Sequence, residues 1–120
     1  MAKKILIVED ERPIANALAL KFNHSGFQAK AVHNGQEALD LLEKESFDLM
    51  LLDLMMPKMD GFGVLEALQK KEGIPLVVVT TNLSQEEDAK RARALGAKDY
   101  LVKSNTPLTK MVEHVAKLLG

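Results

Sequence analysis

Residues Leu49-Met50-Leu51-Leu52-Asp53-Leu54-Met55-Met56-Pro57 constrain the fold more than any other stretch. An apolar run without polar alternation, stopped by a proline, fits a strand covered on both faces and not one with a wet side. Leu76-Val77-Val78-Val79-Thr80 and Lys4 to Val8 repeat the pattern. Several such strands in one chain require a sheet sandwiched between two other layers. In α/β proteins those layers are the helices that connect parallel strands.

The intervening segments have helical periodicity. Pro13 suits a first helical turn, Ile14, Leu18 and Phe22 share a face, and Gly26 offers a stop. Gln28 to Val32 reads as a second strand, and Asn34-Gly35 as a turn signal before a helix with an Ala38, Leu41, Leu42 stripe. Gly61 and Gly63 open a third helix with Val64, Leu65 and Leu68. Ser84 and Glu87 form an S-x-x-E capping box for a fourth, about Gln85 to Leu95. Its apolar side is mostly Ala89, Ala92 and Leu95, so it should be weakly anchored. Asp99 to Val102 is a short fifth strand. Pro107 starts a last helix striped with Leu108, Met111, Val112, Val115 and Leu119. Five strands alternating with five helices predict an α/β fold of the flavodoxin-like (βα)5 type, a three-layer sandwich around a parallel sheet of order 2-1-3-4-5.

The 120 residues are expected to form a single domain, 1–120. A net charge of −1 offers no basic field for direct nucleic acid binding, and cysteine is absent, so disulfides and thiolate metal sites are excluded. No apolar run approaches the roughly 20 residues of a membrane helix, and no signal-peptide core is visible, so a cytoplasmic protein without membrane contact is expected.

Function is expected where the strands end, because ligands of open parallel sheets bind beyond their carboxyl ends. Those ends carry Glu9-Asp10, Asp53, Thr80-Thr81 and Lys103. Each has a plainer reading alone: a solvated acidic turn, a strand-terminating Asp, a β-branched strand residue, a surface charge. Together they converge on one crevice. Clustered carboxylates repel, and a hard cation such as Mg²⁺ relieves this while keeping room for a phosphate. Lys103 and Thr80 suit a phosphoryl group as charge and hydrogen-bond donor, and a carboxylate is itself able to attack phosphorus.

Glu9-Asp10, Asp53 within L-L-D-L-M-M-P-K-M-D-G, Thr80 and G-A-K-D-Y-L-V-K at 96–103 resemble the receiver domain of bacterial two-component response regulators. The resemblance covers essentially the whole chain. It implies that Asp53 is the phosphoacceptor, that Asp10 binds Mg²⁺ directly with Glu9 helping through water, and that the Met55 backbone carbonyl is a further ligand. It implies that Lys103 pairs with the phosphoryl group and that Thr80 and Tyr100 form a switch pair. The implied phosphodonor is a sensor histidine kinase or a histidine phosphotransfer protein. The implied output face is 85–119, docking a partner or an attached effector. Such a domain is a signalling switch that catalyses its own phosphorylation and dephosphorylation.

Three features depart from the family pattern. Ser104 replaces the usual proline after Lys103, so a trans bond is expected there, a non-proline cis bond costing about 2.5–4 kcal/mol. Thr81 replaces a small residue and is expected to crowd the acceptor. Lys98, Lys110, Glu113, His114 and Lys117 do not reproduce the charge set with which many DNA-binding regulators dimerise, which predicts a monomer or a weak, phosphorylation-dependent dimer. His24, His33 and His114 read as surface or packing residues, and Met55, Met56 and Met59 as packing or partner-facing. The alternatives are a pseudo-receiver acting without phosphorylation, a small aspartyl-phosphate hydrolase and a flavin-binding domain. The hydrolase class usually shows D-x-D, whereas Leu54-Met55 follows Asp53, and Glu9-Asp10-Glu11 would repel a flavin phosphate.

Overall fold

The computed structural model describes residues 2–57, 59–82 and 85–120. Its elements are β1 (Lys4–Val8), α1 (Arg12–His24), β2 (Gln28–Val32), α2 (Gly35–Lys44), β3 (Leu49–Asp53), α3 (Gly61–Leu68), β4 (Leu76–Thr81), α4 (Glu86–Ala94), β5 (Asp99–Val102) and α5 (Leu108–Leu119), with a 3₁₀ turn at Lys103–Asn105 before α5. The strands form one parallel sheet of order β2-β1-β3-β4-β5, as expected.

Alternate residues of the central strands feed two separate cores, because successive side chains of a strand point to opposite faces. Leu6, Val8, Met50, Leu52, Val77 and Val79 pack with Ala38, Val64, Leu65, Leu68 and Ala92 of α2, α3 and α4. Ile5, Ile7, Leu49, Leu51 and Val78 pack with Leu18, Phe22, Met111, Val112 and Val115 of α1 and α5. Every residue of β3 is buried, which is why its sequence carries no alternation. Phe22 is fully buried and meets Phe27 edge-on at 5.6 Å. Phe22→Ala should cost about 3–5 kcal/mol, the usual effect of emptying a large core site, read as a lower urea midpoint with an unchanged slope.

Some local details differ from the sequence reading. Asn34-Gly35 is not a free-standing turn: Asn34 caps α2, its side chain accepting from the Glu37 backbone N–H, and Gly35 is already helical. Asp60 caps α3 in the same way through Gly63. The Ser84 half of the supposed capping box lies outside the described residues. The first residue before α4, Gln85, makes no side-chain cap bond. Helix α4 buries only Ala92. Around it lie exposed polar contacts: Arg91 is 4.1 Å from the Phe62 ring and 3.2 Å from Glu66 of α3, and Gln69 just past α3 donates to the carbonyl of Leu95 just past α4. No cis peptide occurs among the described residues, so Lys103–Ser104 is trans.

Candidate functional site at the carboxyl edge of the sheet

The sheet register delivers the acids to one point. β1 and β3 pair Val8 with Leu52, so Glu9 and Asp53 leave neighbouring strands side by side, and Asp53 pairs in turn with Thr80. Glu9, Asp10 and Asp53 each offer a carboxylate oxygen within 4.8 Å of the others. Asp53 and Glu9 are both only 2% exposed, Thr80 is buried, and Asp10 is half-buried.

Lys103 enters from the end of β5 and donates to Glu9 Oε1 and, at 3.0 Å, to Asp53 Oδ2. Its side chain is 12% exposed, so the plain surface-charge reading fails. The other Asp53 oxygen accepts from the Met55 backbone N–H at 3.0 Å, and Glu9 Oε2 accepts from Glu11 N–H at 3.2 Å. One ammonium cannot neutralise two buried carboxylates. Burial pushes the Glu9 carboxyl up to about 7, Lys103 pulling it down and the Asp53 charge raising it further. Burial works to lower the Lys103 pKa, but its bonds to Glu9 and the Asp53 charge outweigh that and raise it. An excess of hard, buried oxygen donors is the donor set that Mg²⁺ prefers.

The loop after Asp53 is pinned by a close approach. A Cβ on Gly61 would lie 2.7 Å from the Asp53 carbonyl oxygen and 2.8 Å from Leu54 Cα, and Gly61 N–H donates to the Leu54 carbonyl. Leu54 N–H donates to the Thr80 carbonyl at 2.9 Å, tying that loop to β4. A cavity of about 370 Å³ reaches Glu9, Thr80 and Lys103 from the α1–α5 side, walled by Ile14, Leu108 and Met111.

Tyr100 pairs with Val79 across the sheet and is half-buried against the α2–α4 core. Two histidines read as surface or packing residues have defined polar roles. His114 on α5 donates Nε2–H to Asp99 Oδ2 at 2.6 Å, and Arg93 at the end of α4 approaches Asp99 Oδ1 at 3.4 Å. One carboxylate thus links α4, β5 and α5. Partial burial raises the Asp99 pKa, but the Tyr100 N–H, His114 and Arg93 prevail and hold it below the ordinary carboxylate range. A lowered folded pKa means stability present above the unfolded value and lost as pH falls through the folded one. Asp99→Asn should therefore flatten the acid limb of the stability profile while leaving its neutral-to-basic shape intact, measured by thermal melts from pH 2 to 8. The second histidine, His33, places Nδ1 3.1 Å from the Glu9 carbonyl oxygen.

The acids thus stand at the switch between the first and third strands, the place where open parallel sheets bind their ligands. The sequence matches the response regulator receiver domain family over residues 5–116, and the chain belongs to that family: it is a receiver domain of two-component signal transduction, a signalling switch. A probable transcriptional regulator, ycf27, of Porphyridium aerugineum is 38% identical over 105 residues, covering 88% of this chain and 43% of that protein. Its counterpart in Cyanophora paradoxa is 39% identical over 105 residues, with 88% and 44% covered. The chain thus spans less than half the length of these relatives. Among solved structures, the signal receiver domain of a signal transduction histidine kinase from Syntrophus aciditrophicus superposes with a TM-score of 0.87 at 33% identity, covering 98% of this chain and 90% of that one. A response regulator of Thermotoga maritima in complex with Mg²⁺ and BeF superposes with a TM-score of 0.83 at 31% identity, covering 97% and 98%. Family membership sets aside the hydrolase and flavin readings. No helix among the described residues is long and apolar enough to cross a membrane.

Proposed function

We propose that this receiver domain, residues 1–120 read as one unit, accepts a phosphoryl group on Asp53 from the phosphohistidine of a sensor histidine kinase or a histidine phosphotransfer protein. The observation that carries the reading is the buried Asp53 carboxylate, held between Lys103 Nζ and the Met55 N–H beside two further acids. Glu9, Asp10, Asp53 and the Met55 carbonyl would hold Mg²⁺, which when bound supplies positive charge to the carboxylates and to the phosphoryl oxygens. The Mg²⁺ and BeF bound by the Thermotoga maritima relative support this choice of cation.

An Asp53 carboxylate oxygen attacks phosphorus, the N–P bond of the donor breaks, and its electron pair stays on the imidazole nitrogen. Such a step depends mainly on positioning and charge neutralisation. Lys103 follows the new charge, releasing its contact with Glu9, and the Thr80 hydroxyl donates to a phosphoryl oxygen. Tyr100 and α4 then settle into a second arrangement. Phosphorylation biases an existing equilibrium of the 85–119 face, which docks an output partner or an attached effector. The slender apolar contact of α4 suits a helix that shifts. The domain itself works as a monomer or a weak phosphorylation-dependent dimer, without binding nucleic acid directly.

Incubation with Mg²⁺ and acetyl phosphate, followed by intact mass measurement, tests the reading. One acid-stable, base-labile phosphoryl group is expected. Its absence in folded, Mg²⁺-binding protein would point to a pseudo-receiver or to blockage of the acceptor by Thr81, which Thr81→Ala would tell apart.

A further inference from the structure

The Glu9–Asp10 pair sits on a loop, yet its backbone is held from β2 at consecutive polar groups. Val8 pairs with Val32, so residue 33 emerges beside residue 9. The Glu9 N–H donates to the Val32 carbonyl at 3.1 Å, and the Glu9 carbonyl faces His33 Nδ1 at 3.1 Å. A carbonyl only accepts, so Nδ1 must carry the hydrogen. The His33 backbone is itself fixed, its N–H donating to Glu37 Oε1 at 2.8 Å, while Glu37 N–H donates to Asn34 Oδ1 at 2.8 Å. The imidazole is therefore carried by a backbone fixed just before the capped N-terminus of α2.

A peptide unit is rigid, so orienting the Glu9 carbonyl orients the whole plane that ends at the Asp10 Cα. With the Glu9 N–H also held, the peptide planes on both sides of the Glu9 Cα are fixed. We infer that His33 is a positioning residue for the cation site: its Nδ1–H bond to the Glu9 carbonyl sets the direction in which the Glu9 and Asp10 carboxylates leave the chain. The inference rests on the Mg²⁺ reading proposed above. Groups that orient the ligands of a metal commonly change its affinity by about 10- to 100-fold when removed.

The test compares Mg²⁺ affinity, by calorimetric titration, for the wild type, His33→Ala, His33→Asn and His33→Gln, each with its metal-free urea midpoint. Asparagine places an amide N–H where Nδ1 stands, and glutamine places one where Nε2 stands. His33→Ala should weaken Mg²⁺ about tenfold. His33→Asn should recover most of that loss, and His33→Gln should not. Nitrogen-15 shifts of the metal-free wild type should show a hydrogen on Nδ1. Unchanged affinity in His33→Ala overturns the inference, as do equal losses in all variants, losses that merely track metal-free stability, or a bare Nδ1. A wild type that fails to bind Mg²⁺ at all would instead overturn the cation reading itself, so the two failures are distinguishable.

Discussion

Asp53→Asn is expected to take up no phosphoryl group from acetyl phosphate under conditions that label the wild type fully. The amide keeps the shape of the carboxylate but has a single acceptor oxygen, so it can accept from Lys103 or from the Met55 N–H at its original position but not from both, and that oxygen is a poor nucleophile. The same substitution removes one of two buried negative charges that share a single ammonium, so metal-free stability should be equal or higher. Loss of labelling with preserved folding separates chemistry from structure. Labelling of the variant at the wild-type rate would move the acceptor elsewhere. Lys103→Ala should behave differently on both axes. It leaves Glu9 and Asp53 buried without their cation, a loss of about 3–5 kcal/mol for a broken buried pair. It should also slow labelling by about 10²–10³-fold, the typical effect of deleting one group that stabilises developing charge.

Mg²⁺ should raise the melting temperature, and the rise should grow with pH. Without metal, the folded pKa of Glu9 lies near 7, above the 4.5 of an ordinary glutamate. A raised folded pKa means that the folded state binds more protons than the unfolded state, so this contribution is fully present below 4.5 and is lost as pH rises through about 7. A cation that competes for those carboxylates binds better as they deprotonate. At a hundredfold excess over its dissociation constant Mg²⁺ adds about 2.7 kcal/mol. For a domain of this size that amounts to a shift on the order of 10 °C. The shift should be small at pH 5 and near its maximum at pH 8. A melting temperature indifferent to Mg²⁺ at pH 8 would sink the proposed cation site. Asp10→Asn should remove most of the shift while leaving the metal-free melt nearly unchanged, because Asp10 is the half-buried member of the cluster.

The elements and the order of the sheet were legible because their determinants are local. Runs such as Leu49–Leu52 and Val77–Val79 admit little but a strand covered on both faces, and the intervening stripes admit little but helices. Glu9, Asp10, Asp53, Thr80 and Lys103 were legible as a group because each stands at or just beyond the carboxyl end of a strand, and parallel strands bring those ends to one edge. Less accessible were the details that depend on side-chain direction. Asn34-Gly35 looked like a turn because the same residue types serve turns and helix caps, and only the position of Glu37 decides between them.

What the sequence by itself determined is the layered fold and the edge at which the acids meet. What only the tertiary structure decided is how those groups are joined. Lys103 answers Glu9 as well as Asp53, Asp99 gathers His114 and Arg93 from two helices, and His33 reaches the Glu9 carbonyl. Strand order makes residues 9 and 33 neighbours, which was foreseeable. The direction of the ring is seen only in the packed chain, where Nδ1 lies 3.1 Å from the Glu9 carbonyl oxygen. Periodicity records which face a residue occupies, but hydrogen bonds depend on atomic directions that only the packed chain defines.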